Sequence, residues 1–116
     1  MNRLPILAAT LAVAVAHANP TPSAGDVFVR LTLEPKKLHE ECARLEPGES
    51  RKYHWKSNVP VDFNIHYHRG KDVFYPVKRD AMLGDGGTFT AKSGEHYCWM
   101  WTAKEGPAKI EGRIQK

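Results

Sequence analysis

Val61-Asp62-Phe63-Asn64-Ile65-His66-Tyr67-His68 is the most regular stretch of the chain. On an extended backbone Val61, Phe63, Ile65 and Tyr67 share one side, while Asp62, Asn64, His66 and His68 share the other. That period-two alternation is the mark of a strand with one buried and one wet face. Working outward, residues 26–33 alternate in the same way, with Val27, Val29, Leu31 and Leu33 together, and residues 50–56 set Tyr53 and Trp55 on one face. Residues 73–77, 88–90, 95–102 and 108–114 read as further strands. The turn signals between runs are Pro47-Gly48, Arg69-Gly70, Gly84-Asp85-Gly86-Gly87, Ser93-Gly94 and Gly106-Pro107. Residues 38–45 fit either a strand or a short helix. The expected fold is all-β, an antiparallel two-sheet β-sandwich of about seven or eight strands.

The 116 residues allow one domain, and 41% hydrophobic with 26% charged residues excludes both a disordered tail and a multispan membrane protein. Residues 1–18, MNRLPILAATLAVAVAHA, combine a positive Arg3, an apolar run and the small-x-small site Ala16-His17-Ala18. This is the pattern of a secretory signal peptide cut after Ala18, the alternative being an uncleaved anchor. Residues 19–25 then form a flexible lead-in and residues 26–116 the domain. Loss of Arg3 takes the formal charge from +4 to +3. No later run approaches the roughly 18 apolar residues of a transmembrane helix. The expected product is exported, periplasmic or secreted, with no transmembrane segment in its mature chain.

Cys42 and Cys98 are the only cysteines. In an oxidising compartment two thiols most simply become one disulfide, the alternative being free or metal-binding thiols. The cysteines also belong to a longer pattern: Glu41-Cys42, Pro47-Gly48-Glu49, Val61-Asp62-Phe63-Asn64-Ile65, Asp72-Val73-Phe74-Tyr75, Gly87-Thr88-Phe89-Thr90 and Ser93-Gly94-Glu95-His96-Tyr97-Cys98-Trp99. Across residues 38–114 this resembles the GOLD (Golgi dynamics) domain, the lumenal β-sandwich of secretory-pathway cargo receptors. The resemblance implies a non-catalytic sandwich that binds a protein or lipid and carries a bond equivalent to Cys42–Cys98. Cargo receptors continue into a coiled coil, a transmembrane helix and a sorting tail, none of which follows in this sequence, so coat-mediated traffic is not implied.

His66 and His68 project from one face of the same strand, a spacing that can supply two ligands to copper or zinc. His96, Cys98 and Met100 alternate on another strand, opposite Tyr97, Trp99 and Trp101. A site from His66, His68, His96 and Met100 is the second functional reading, a periplasmic copper- or zinc-binding protein. It competes with the plainer reading of surface histidines beside a disulfide. Tyr53, Trp55, Tyr97, Trp99 and Trp101 read as inter-sheet filling, with Trp101 the one placed to reach the rim as a ligand or partner surface. Catalytic residues are not indicated: His39-Glu40 begins like a zincin motif, but Ala43 stands where the second histidine belongs. No other cofactor motif is present. The pairs Lys36-Lys37, Arg51-Lys52 and Lys78-Arg79 are too scattered for a nucleic-acid surface.

Overall fold

The computed structural model describes residues 25–116 and, before them, only Asn2 and Pro5. Apart from those two residues, the expected signal peptide lies outside the described residues, as does the expected lead-in up to residue 24. The described chain is antiparallel β-structure: β1 (Val27–Leu33), β2 (Leu38–Leu45), β3 (Ser50–Arg69), β4 (Asp72–Thr90), β5 (Glu95–Ala103) and β6 (Ala108–Gln115). Strand order is β1-β6-β3-β5-β2, with β4 on the other edge of β3. Asp26, where the domain was expected to begin, accepts hydrogen bonds from Arg113 Nη2 at 2.7 Å and the Lys116 amide at 2.8 Å, tying the start of β1 to the end of β6.

Among the described residues the strand count is six, not seven or eight, and the hydrogen-bonded ladders run through one continuous sheet. The shortfall has two causes. Residues 50–56 and 61–68 belong to one 20-residue strand, because the chain between them only shifts register and does not turn. Asn58 Oδ1 accepts from the Lys109 amide at 2.7 Å, holding that crossing segment to β6. Gly84-Asp85-Gly86-Gly87, expected as a loop, pairs with Lys56, Trp55, His54 and Tyr53 inside the 19-residue β4. The glycines serve close approach there: a Cβ on Gly84 would lie 2.9 Å from the Trp55 carbonyl oxygen.

β3 is the organising element. Its first half pairs β6 through residues 52–57, and its second half pairs β5 through residues 61–66. The sheet thereby curls, so that Tyr53 and Trp55 from the first half meet Phe63 from the second at ring separations of 5.7 and 5.3 Å. Phe63 also packs on Trp101 at 5.5 Å. Around them lie Trp99, Tyr97, Ile65, Ile110 and Leu45, each almost fully buried. Residues 38–45 resolve as strand despite helix-favouring Glu, Ala, Arg and Leu. Pairing with β5 along all eight residues outweighs local propensity.

Arg69 and Asp72 close the β3–β4 hairpin over the two-residue turn Gly70-Lys71, with Gly70 at φ 61°. A left-handed first position suits such a turn and explains the glycine.

Candidate functional site

Trp101, expected at the rim, is buried in the core at 2% exposure. β5 continues past it to Ala103 and is flanked on both edges, and His39 from β2 stacks across its ring at 6.2 Å. It offers no surface to a partner.

The polar side of residues 61–68 is also less wet than the alternation suggests. Asn64 and His66 are buried, at 9% and 4% exposure. Glu40 on β2, Tyr75 on β4 and the neighbouring His68 close over the His66 ring. Nδ1 lies 2.7 Å from Asn64 Oδ1, the single N–H of the neutral ring donating to the amide oxygen, while Nε2 faces Glu40 Oε1 at 3.3 Å, an ion pair only when the ring is protonated. Burial lowers the pKa of His66 below the usual imidazole value, against the opposing pull of Glu40 and with a smaller push from His68.

The unfolded chain therefore binds a proton at this position more readily than the folded one does. Above about pH 6.5 both states are neutral and His66 adds no pH dependence; below it, stability falls until the folded ring itself protonates. The urea midpoint should drop between about pH 7 and pH 5, with a smaller drop in His66→Gln. An identical pH profile in the two proteins would remove His66 as the cause.

The four residues of the metal reading are distributed as follows. His66 is enclosed, with His68 edge-on to it at 5.3 Å. Met100 lies in the ladder row of Glu40 and Asn64. His96 instead approaches the cysteines. Among the described residues, the set of His, Cys, Asp and Glu donors lying within 4.8 Å of one another is Cys42, His96 and Cys98. Cys42 and Cys98 are bonded to each other, facing directly across β2 and β5 with a Cα separation of 4.0 Å. The staple sits on the outer face of the sheet with Cys42 exposed and Cys98 buried beneath it, and it ties the edge strand β2 to its neighbour.

The surface feature that stands out lies at the β3–β4 hairpin. Val73, Phe74 and Tyr75 are consecutive large apolar residues exposed at 38%, 39% and 48%. Period-two alternation sends Phe74 to one side of β4 and Tyr75 to the other. Phe74 stacks on Tyr67 at 5.1 Å, with the Arg69 guanidinium 5.5 and 5.6 Å from the two rings. Tyr75 packs on His66 and carries Lys78 Nζ 5.7 Å from its ring. Arg69 is further held by Glu95 on β5.

Beside the Phe74 side lies a cleft of about 340 Å³ lined by Tyr67, Pro76, Val77, Phe89 and Tyr97, with Lys92 and Ser93 at its polar end. The Tyr97 hydroxyl donates to the Ser93 carbonyl oxygen at 2.8 Å, so the floor is fixed. Sequence alternation could not find this site, because it depends on the hairpin projecting from the curled sheet. The run Val73-Phe74-Tyr75 following a turn was the available signal.

A larger, shallower cleft of about 550 Å³ lies over β1, β6 and β3, near Phe28, Arg30, His54 and Lys56. Its charges are largely satisfied internally. Arg30 and Lys56 both reach Glu111, at 3.1 and 3.5 Å, and Arg113 is held by Asp26. No helix among the described residues is long and apolar enough to cross a membrane.

No protein-family model matches this chain, and no curated protein does. Among solved structures, the chain is similar to the pre-peptidase C-terminal domain of a collagenase from Bacillus anthracis, with TM-score 0.54, 10% identity, and coverage of 84% of this chain and 98% of that one. It also aligns with the Yersinia pseudotuberculosis-derived mitogen at TM-score 0.47 and 11% identity, over 81% of this chain and 85% of that one. At these identities the first likeness shows a shared β-fold and the second carries no weight.

Proposed function

We propose that the protein is an exported, non-catalytic β-module that binds an acidic partner protein through the aromatic and cationic β3–β4 hairpin. The carrying observation is the exposed run Val73-Phe74-Tyr75, which sets Phe74 under Arg69 on one side of the hairpin and Tyr75 under Lys78 on the other. Tyrosine, phenylalanine and arginine are the residues enriched where protein interfaces concentrate their energy. Stacking fixes the rings before binding, which lowers the ordering cost of association. Lys78 over the Tyr75 ring and a formal charge of +3 after loss of Arg3 favour an acidic surface. Export rests on the leader-like residues 1–18 and on the disulfide. The facing of Tyr53 and Trp55 against Phe63 supports a two-layer sandwich built from the curled sheet. The GOLD resemblance enters this reading on its sequence motifs alone.

The test is a comparative capture from the exported protein fraction. Wild type and the double variant Phe74→Ser/Tyr75→Ser are immobilised after matching their circular dichroism. A partner retained by wild type should be lost, or weakened by about tenfold or more, in the double variant. Equal retention by both proteins would contradict the proposal. Binding to anionic vesicles, with no protein retained, would reassign the hairpin to a lipid surface.

A further inference from the structure

We propose that Cys42, Cys98 and His96 form a latent, redox-gated site for Zn²⁺, closed while the cysteines are bonded and opened by a dithiol reductant. The inference is independent of the hairpin reading. Thiolate and imidazole are the donors that zinc prefers, and a bonded pair of sulfurs cannot supply them. His96 is exposed, and a ring nitrogen lies within 4.8 Å of both sulfurs. A tetrahedral zinc with Zn–S near 2.3 Å and Zn–N near 2.0 Å needs its donors roughly 3.5–3.8 Å apart. Once the bond opens, rotation of the two cysteine side chains reaches that spacing without moving the strands.

The neighbourhood allows the exchange. Cys42 is exposed, so a dithiol can reach its sulfur. β2 remains paired to β5 from Leu38↔Thr102 to Leu45↔Glu95, and Leu45 is fully buried, so the backbone frame does not depend on the bond alone. Arg44, the ladder partner of His96, is held by Glu46 at 3.1 Å. His66, the ladder partner of Cys98, is buried with Nδ1 bonded to Asn64 and Nε2 turned toward Glu40, and it lies outside the cluster of donors around the two sulfurs. The protein therefore supplies three ligands and leaves the fourth position to water.

The chemistry balances. The dithiol gives two electrons and two protons to the Cys42–Cys98 bond, leaving two thiols and its own cyclic disulfide. Zn²⁺ then displaces the two thiol protons and takes the His96 lone pair.

The experiment uses the full chain, reduced with a dithiol that is then removed by anaerobic gel filtration, and titrated with Co²⁺ and then Zn²⁺. The reduced protein should keep its strand circular dichroism, bind one Co²⁺ with a thiolate charge-transfer band, and lose the band when Zn²⁺ is added. The oxidised protein should show no such band. His96→Ala should weaken Zn²⁺ at least about tenfold, while His54→Ala, on the outer face of the other half of the sheet, should not change it. The proposal is overturned if the reduced, folded protein shows no band, if oxidised protein binds equally, or if His96→Ala binds as wild type. It is also overturned if reduction abolishes the strand signal, since the metal would then be meeting an unfolded chain.

Discussion

Phe63→Ala is expected to destabilise the domain by about 4 kcal/mol, measured as the shift in urea unfolding free energy. Phe63 is 1% exposed and touches Tyr53, Trp55 and Trp101, so it is the ring on which both halves of the curled sheet close. Truncation loses the transfer energy of the ring and leaves a cavity walled by three large aromatics that cannot collapse into it. The matching control is Phe74→Ala on the exposed hairpin, which should cost no more than about 1 kcal/mol. Equal costs at the two positions would mean that the hairpin is part of the core, and the docking reading would fail with it.

The second large effect concerns the staple. Replacing both Cys42 and Cys98 by alanine removes a bond that closes a 56-residue separation. Loop-closure arithmetic puts the loss at roughly 4 kcal/mol, acting mainly on the unfolded chain. Domains of this size have about 5–15 kcal/mol in total, so the variant should remain folded with a small margin. Because the bond lies on the outer face, its loss should leave the near-ultraviolet signal of the buried tryptophans unchanged. A loss below about 1 kcal/mol would show that the β2–β5 ladder alone holds the edge strand. A collapsed tryptophan signal would show instead that the bond organises the core.

These two predictions also mark how much of the molecule was legible in its sequence. Period-two alternation locates β1 and the second half of β3, and the export context pairs the cysteines. The first rests on a local rule and the second on there being only two cysteines to pair, and the strands and the bond are both present. The errors arise where a residue's role is set by a neighbour distant in the chain. Gly84 to Gly87 carry turn chemistry, yet they pair with β3 because only glycine allows the Gly84 approach to the Trp55 carbonyl. Residues 57–60 carry a proline, yet the strand continues, with a register shift where pairing passes from β6 to β5.

The same distinction explains the site. His66 belongs to the outward side of its strand, but Glu40 and Tyr75 cover it, and no local pattern reports that cover. Trp101 stands near a strand end in the sequence and at the centre of a sheet in space. His96 shares its strand face with Cys98 in the sequence, and what the fold adds is Cys42 beside them, while His66 is closed off by Glu40 and Tyr75. The hairpin surface was present as Val73-Phe74-Tyr75, but its exposure follows only from the projection of β3 and β4 beyond the rest of the sheet.

The central claim is that a partner protein docks on this hairpin. Hydrogen exchange of the full chain, measured alone and with the captured partner, tests it directly. The expected result is added protection concentrated in residues 67–78, with little change over residues 28–30 and 54–56. Protection confined to those latter segments, with the hairpin exchanging as in the free protein, would contradict the account.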